Sequence, residues 1–275
     1  GDEGLAILGL PAIGLPALGV MGAGITTAFS TLTLAVTIWL RTRRFAPKKS
    51  PTEVSEASKT PLWRPLTAIA IPIGLQVCAE TWLFSLVGLL AGRISAIAVG
   101  GHQIALTLAA GSFMVALGIS SATAVRVGQA VGAGRHKAVR RIGLAGVITS
   151  TGWMSMTAIA FLTLPEFLVR LFTDEPEVIT CAAGLLTIAA AFALFDAVQV
   201  SMAGALRGAG DVRIPFVLTT LGQWGLGFPV AYYLGFHTDM GVTGLWYGLT
   251  AGLLGIAIVL SARFIHLSRG AIARL

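Results

Sequence analysis

The chain reads as long apolar stretches separated by short polar ones. Seven stretches, 18–40, 66–90, 103–125, 142–164, 181–206, 214–234 and 242–262, reach the ~20 residues that a helix needs to cross a bilayer core. They are unbroken rather than alternating, so the pattern predicts helices and not barrel strands. Residues 4–17 are also apolar, but their two prolines and three glycines predict a loop at the outer surface. The segment 46–62, APKKSPTEVSEASKTPL, predicts a cytoplasmic linker. It divides the chain into 1–45, an outer loop with one span, and 63–275, a unit of six spans.

The first and last spans resemble each other. Each carries Gly-Val-x-Gly, from Gly19 and from Gly241. A parallel repeat of two six-helix halves is one known transporter design. On that design the first half is represented here only by its last helix, and about five spans are missing. The chain starts Gly-Asp-Glu with no basic leader, which reads as a start internal to a longer protein.

Composition agrees with a polytopic membrane protein. The 275 residues are 55% hydrophobic and only 11% charged, with mean hydropathy +0.84, against about 25% charged in soluble domains. Cys78 and Cys181 both lie in apolar runs and read as inert buried thiols. The net charge of +7 raises nucleic acid as a partner, but the distribution argues against it. Seventeen of the 19 Lys and Arg fall in 41–64, 126–141, 207–213 and 263–274, on every second connection. That is the positive-inside pattern. It predicts an inner-membrane protein with its N-terminus outside and its C-terminus in the cytoplasm.

Only two of the 12 acidic residues lie well inside spans, Glu80 and Asp196. Counted from the cytoplasmic ends of their runs they differ by four residues, ~6 Å of helical rise, so both carboxyls can line one cavity. No Lys or Arg sits deep in a span beside them. A charge at the bilayer centre costs about 3 kcal/mol on insertion scales, and such groups generally mark ion pathways. A carboxyl there alternates between a protonated acid and a carboxylate holding a cation such as Na⁺. The bland alternative is a structural acid bonded across helices.

Gln76 lies one turn from Glu80, Gln199 three residues from Asp196, and Gln103 beside His102. These are candidate supporting groups, or simply amides bonded between helices. Pro72 removes a backbone bond to Ala68 and is a hinge candidate. Phe113, Met114, Phe192, Phe195 and Met202 are candidate pocket-lining residues, with core or lipid packing as the alternative for each. Other motifs carry less. GAGD at 208–211 matches an intramembrane protease signature, but Asp211 is fifteen residues from Asp196, ~22 Å along a helix, and is flanked by arginines. VGQAVGAG follows no strand and reads as a tight turn or a helix contact, not a phosphate loop. The four histidines have no metal spacing.

Taken together, CAETWLF at 78–84, GHQIAL at 101–106, ATAVRVGQAVGAG at 122–134, FDAVQVSMAGALRGAGD at 195–211 and GVTGLWYGL at 241–249 resemble the multidrug and toxic-compound extrusion (MATE) family, NorM-like branch. The resemblance implies twelve helices in two six-helix lobes around a V-shaped cavity. It implies efflux of organic, often cationic drugs, driven by inward Na⁺ or H⁺, without a further cofactor and without enzymatic chemistry. It matches the family's cation-site Glu, Asp and GHQ amide to Glu80, Asp196 and Gln103. Where some members carry an aromatic hydroxyl, one turn before the Asp, this chain has Phe192. The expected partners are organic cations, membrane lipid and the rest of the first lobe, without which the chain is not expected to pump alone. A flippase of related fold for lipid-linked precursors would need basic groups in the cavity, and none is visible in the spans. A non-transporting membrane scaffold remains the alternative from another class.

Overall fold

The computed structural model describes residues 19–45 and 63–269, and every regular element among them is helical. The expected outer loop at 4–17 and the linker at 46–62 lie outside the described residues. The chain separates into two compact units, Gly1–Pro61 and Leu62–Leu275.

The first unit contributes helix α1, Gly19–Phe45. Met21, Phe29 and Leu32, among other apolar side chains along it, are exposed. The hydroxyls of Thr26, Thr31, Thr33 and Thr37 each donate to the carbonyl four residues earlier, which satisfies them without water. The Arg43 guanidinium lies 3.8 Å over the Trp39 ring, a cation–π contact at the charged end of the helix.

The second unit contains α2 (Trp63–Ile94), α3 (Ala96–Gly132), α4 (His136–Thr163), the short α5 (Pro165–Arg170), α6 (Pro176–Gly208), α7 (Arg213–Thr220), a π-helical turn (Leu221–Gly227), α8 (Phe228–Phe236) and α9 (Val242–Leu267). Among the described residues five helices, α2, α3, α4, α6 and α9, are long and apolar enough to cross a membrane. The expected sixth run, 214–234, is not one regular helix. Pro229 has no N–H for the Gly225 carbonyl and would clash with it. The Phe228 N–H instead reaches the Gln223 carbonyl, five residues back, and the turn widens.

The helices also outrun the hydrophobic stretches. α3 begins seven residues before the expected 103 and ends seven after the expected 125, so Arg126 is helical rather than in a connection. Ser95 caps its start, its hydroxyl accepting from the Ala98 N–H at 2.9 Å. The two GAG tripeptides at 132–134 and 208–210 do the same job at the ends of α3 and α6. Gly134 and Gly210 adopt φ of 70° and 88°. The following N–H groups, of Arg135 and Asp211, close back onto Ala130 and Leu206, the Schellman stop that glycine favours.

α6 is the centre of the unit, packed against α3, α4 and α9, and it contributes much of the core through Leu185, Leu186, Ala189, Ala205 and Leu206. α3 and α6 run parallel in close contact. A Cβ on Gly208 would overlap the Ala124 carbonyl, and one on Gly101 would strike Cys181. Ser120 donates to the Val200 carbonyl at 2.6 Å across the same seam. α9 lies against the π turn and α8. Gly244, Gly248 and Gly252 recur every four residues and face Leu234, Ala231 and Gly227, the small-residue packing that lets membrane helices touch backbone to backbone.

Candidate carboxylate site between α2 and α6

α2 and α6 pass each other where Phe84 meets Phe192, edge to face with ring centroids 6.2 Å apart. Phe84 is one turn after Glu80, and Phe192 is one turn before Asp196. Phe84 belongs to α2, which runs the opposite way to α6, so the two offsets point in the same direction. Glu80 and Asp196 therefore stand at one level on the two helices, and their charges are within electrostatic reach of each other. Both are partly buried. Gln76 Nε2 donates to Glu80 Oε1 at 3.0 Å, as the i, i+4 spacing allows. Gln199 is buried on α6.

On one side of the carboxylates the unit is sealed by aromatic rings. Phe192 meets Trp246 of α9 at 5.6 Å, and Trp246 meets His102 of α3 at 5.9 Å. With Phe84 this makes a four-ring chain joining α2, α6, α9 and α3. Trp246 Nε1 donates to His102 Nδ1 at 3.2 Å. That bond makes Nδ1 the acceptor and leaves the proton of a neutral imidazole on Nε2. His102 Nε2 is buried, has no hydrogen-bond partner among the described residues, and lies beside Gly88 of α2.

On the other side a groove of about 430 Å³ is lined by Ile73 of α2, Leu117, Ser121, Ala124 and Val125 of α3, and Arg207 and Gly208 of α6. Ile73 is two turns from Glu80 along α2. Arg207 interacts electrostatically with Glu80. The charge pattern assigns Arg207 to a cytoplasmic connection, but α6 continues through it and brings it to the groove. Arg207 thus reaches Glu80 electrostatically from the last turn of α6, not from deep within the span.

The remaining candidates fall in different places. Gln103 is exposed, while its neighbour His102 takes the buried position. Phe192 and Met202 are packed in the main core with Phe195 half-buried against it, and Phe113 packs on a smaller cluster with Met154 and Ala197. Met114 is exposed. None of these five lines the groove. α2 continues through Pro72 as one helix. Asp211 pairs with Arg263, Oδ2 to Nε at 3.1 Å, a contact between the α6–α7 turn and α9 rather than a partner for Asp196. Trp224 of the π turn is a site residue that the sequence pattern does not single out. Its Nε1 donates to the Ala79 carbonyl at 3.2 Å, next to Glu80.

The MatE family model matches residues 72–233, which include both carboxylates. The chain belongs to the MatE family. It is 38% identical over 249 residues to the multidrug resistance protein NorM of Burkholderia vietnamiensis, covering 87% of this chain and 52% of that protein. It is 40% identical over 209 residues to the multidrug resistance protein PmpM of Pseudomonas aeruginosa, covering 74% and 44%. The chain thus spans about half the length of the curated relatives it matches. The fold is shared with a crystallised MATE mutant at TM-score 0.78 and 17% identity, over 92% of this chain and 58% of that one. It is also shared with the eukaryotic MATE transporter AtDTX14 at TM-score 0.67 and 23% identity, over 74% and 47%. MatE proteins are multi-pass membrane transporters, and the helical fold found here is theirs.

Proposed function

We propose that this chain is the carboxylate-bearing part of a multidrug efflux antiporter driven by inward Na⁺ or H⁺. The observation that carries the reading is the common level of Glu80 and Asp196, set by the Phe84–Phe192 contact. Two carboxylates in electrostatic reach within an apolar unit repel when both are charged and are relieved by a proton or a cation. An organic cation competes for the same negative charge, so binding of one favours release of the other. The groove beside Arg207 gives the pair a route toward the ends of α3 and α6, which the charge pattern places at the cytoplasm of an inner-membrane protein. No covalent chemistry and no further cofactor is needed. Alternating access needs a second lobe to rock against this one, so the pump is the complete gene product.

The reading is tested in that complete product. Glu80→Gln and Asp196→Asn each abolish drug resistance while protein remains in the membrane at its normal level. Flux of ²²Na⁺ or of protons in proteoliposomes names the driving ion. Normal resistance in both variants overturns the assignment and leaves a scaffold. The flippase alternative has one base in its favour, Arg207, but Glu80 already draws on that charge.

A further inference from the structure

We propose that Trp224 is a positioning residue for Glu80, aimed at α2 by the π-helical turn that Pro229 imposes. The inference rests on the reading of Glu80 as a cation-coupling acid. The indole N–H reaches the Ala79 carbonyl at 3.2 Å across 145 residues of sequence. That carbonyl belongs to the peptide unit joining Ala79 to Glu80, so the bond grips α2 at the carboxylate itself. Inside a regular helix the same carbonyl serves the Leu83 N–H and has a second lone pair to offer. The indole is thus a lateral donor. It fixes how α2 is rotated and seated, not whether it is helical.

The aim depends on the wide turn. One residue more per turn rotates the residues before it by about 100° relative to those after it. Gly227, the last residue of the turn, and Ala231 beyond it face α9. Within it, Trp224 points to α2 and tilts against Phe228 with centroids 5.8 Å apart. A regular helix holding Gly227 against α9 would carry the indole elsewhere. α2 also has a point where such a tether matters. Pro72, two turns before Glu80, leaves the Ala68 carbonyl without its helical donor, so one backbone bond fewer holds α2 on its way to the site. Trp224 keeps Glu80 at the level of Asp196, and so sets cation affinity rather than the maximal rate of transport.

The test uses Trp224→Phe, which removes the donor and keeps a ring, in the complete gene product reconstituted in liposomes. Two quantities are read. One is modification of Glu80 by dicyclohexylcarbodiimide, which takes the protonated carboxyl, followed by mass spectrometry with Na⁺ titrated as protectant and H⁺ titrated for half-labelling. The other is the half-saturating cation concentration and maximal rate of drug efflux. The variant needs about fivefold more Na⁺ for half-protection or H⁺ for half-labelling, and about fivefold more of the driving cation for half-saturation, which is what one hydrogen bond of ~1 kcal/mol supplies. Its maximal rate stays within about twofold. Trp153→Phe is the control, because it deletes another indole-to-carbonyl bond, to Ser112 at 3.2 Å, between α4 and α3; it leaves labelling, protection and efflux unchanged. Pro229→Ala restores the missing N–H, lets a regular helix compete with the π turn, and shifts protection in the same direction with the indole intact. Wild-type labelling and protection in Trp224→Phe, or an equal shift in Trp153→Phe, overturns the positioning role. Either result is separate from the fate of the coupling reading, since labelling needs no transport and Glu80→Gln tests the latter alone.

Discussion

Phe84 and Phe192 meet edge to face, one turn beyond Glu80 on α2 and one turn before Asp196 on α6. This contact marks where the two helices meet, with two acids, 116 positions apart in the sequence, at one depth. It also starts the ring chain that closes the core beside them.

Phe192→Ala removes the middle of that chain, where the ring touches both Phe84 and Trp246. The loss of a buried phenyl is expected to cost about 3 kcal/mol or more. Thermal unfolding in detergent reads it as a lowered midpoint. Cation affinity falls with it, because the register of Glu80 against Asp196 is loosened.

The His102–Trp246 bond is expected to be worth more broken than absent. His102→Leu leaves the Trp246 indole N–H buried without an acceptor, at a cost of about 1–3 kcal/mol. A double-mutant cycle with Trp246→Phe isolates the pair, and its coupling energy is expected near 1 kcal/mol. A coupling of zero would remove the bond from the account of this core.

Glycine positions separate by what their missing Cβ would meet. In Gly248→Ala the new methyl overlaps the backbone of Ala231, so α9 is pushed from α8 and the unit loses about 1–3 kcal/mol. Gly184→Ala on α6 meets nothing within 4 Å, and the better helix former is neutral or stabilising by up to ~1 kcal/mol. Melting temperatures of the two variants are expected to move in opposite directions.

The two aspartates of 195–211 are expected to differ in kind. Asp211→Asn breaks a pair with Arg263 whose side chains are 12% and 35% exposed, worth no more than about 1 kcal/mol. Drug resistance is retained. Asp196→Asn leaves stability nearly unchanged and abolishes resistance. Equal loss in both would revive a shared catalytic role.

The site is half legible in the sequence. A carboxylate inside an apolar helix stands out because the bilayer penalises it, so Glu80 and Asp196 declare themselves. His102 and Trp224 do not, since an aromatic or imidazole ring in a membrane helix is ordinary packing material. His102 and Gln103 are neighbours, and only the rotation of α3 decides which of them is buried. A signal for Trp224 does exist: a glycine-rich GQWGLG just before Pro229, the pattern of a helix that must widen. Arg207 is misplaced by hydropathy, which marks where a helix leaves lipid and not where it ends.

By itself the sequence determined that the chain is helical and apolar, and which two charges are anomalous, because those follow from the length of hydrophobic runs and the solvation cost of ions. It determined also that Gly-Val-x-Gly recurs from Gly19 and from Gly241. Only the tertiary structure decided that Gly244, Gly248 and Gly252 bring α9 against α8 and the π turn, that Phe84 and Phe192 meet with the two acids level, and that the indole of Trp224 reaches α2. Each depends on how one helix is rotated about its axis relative to another, and that rotation is fixed by packing across the unit rather than by any local run of residues.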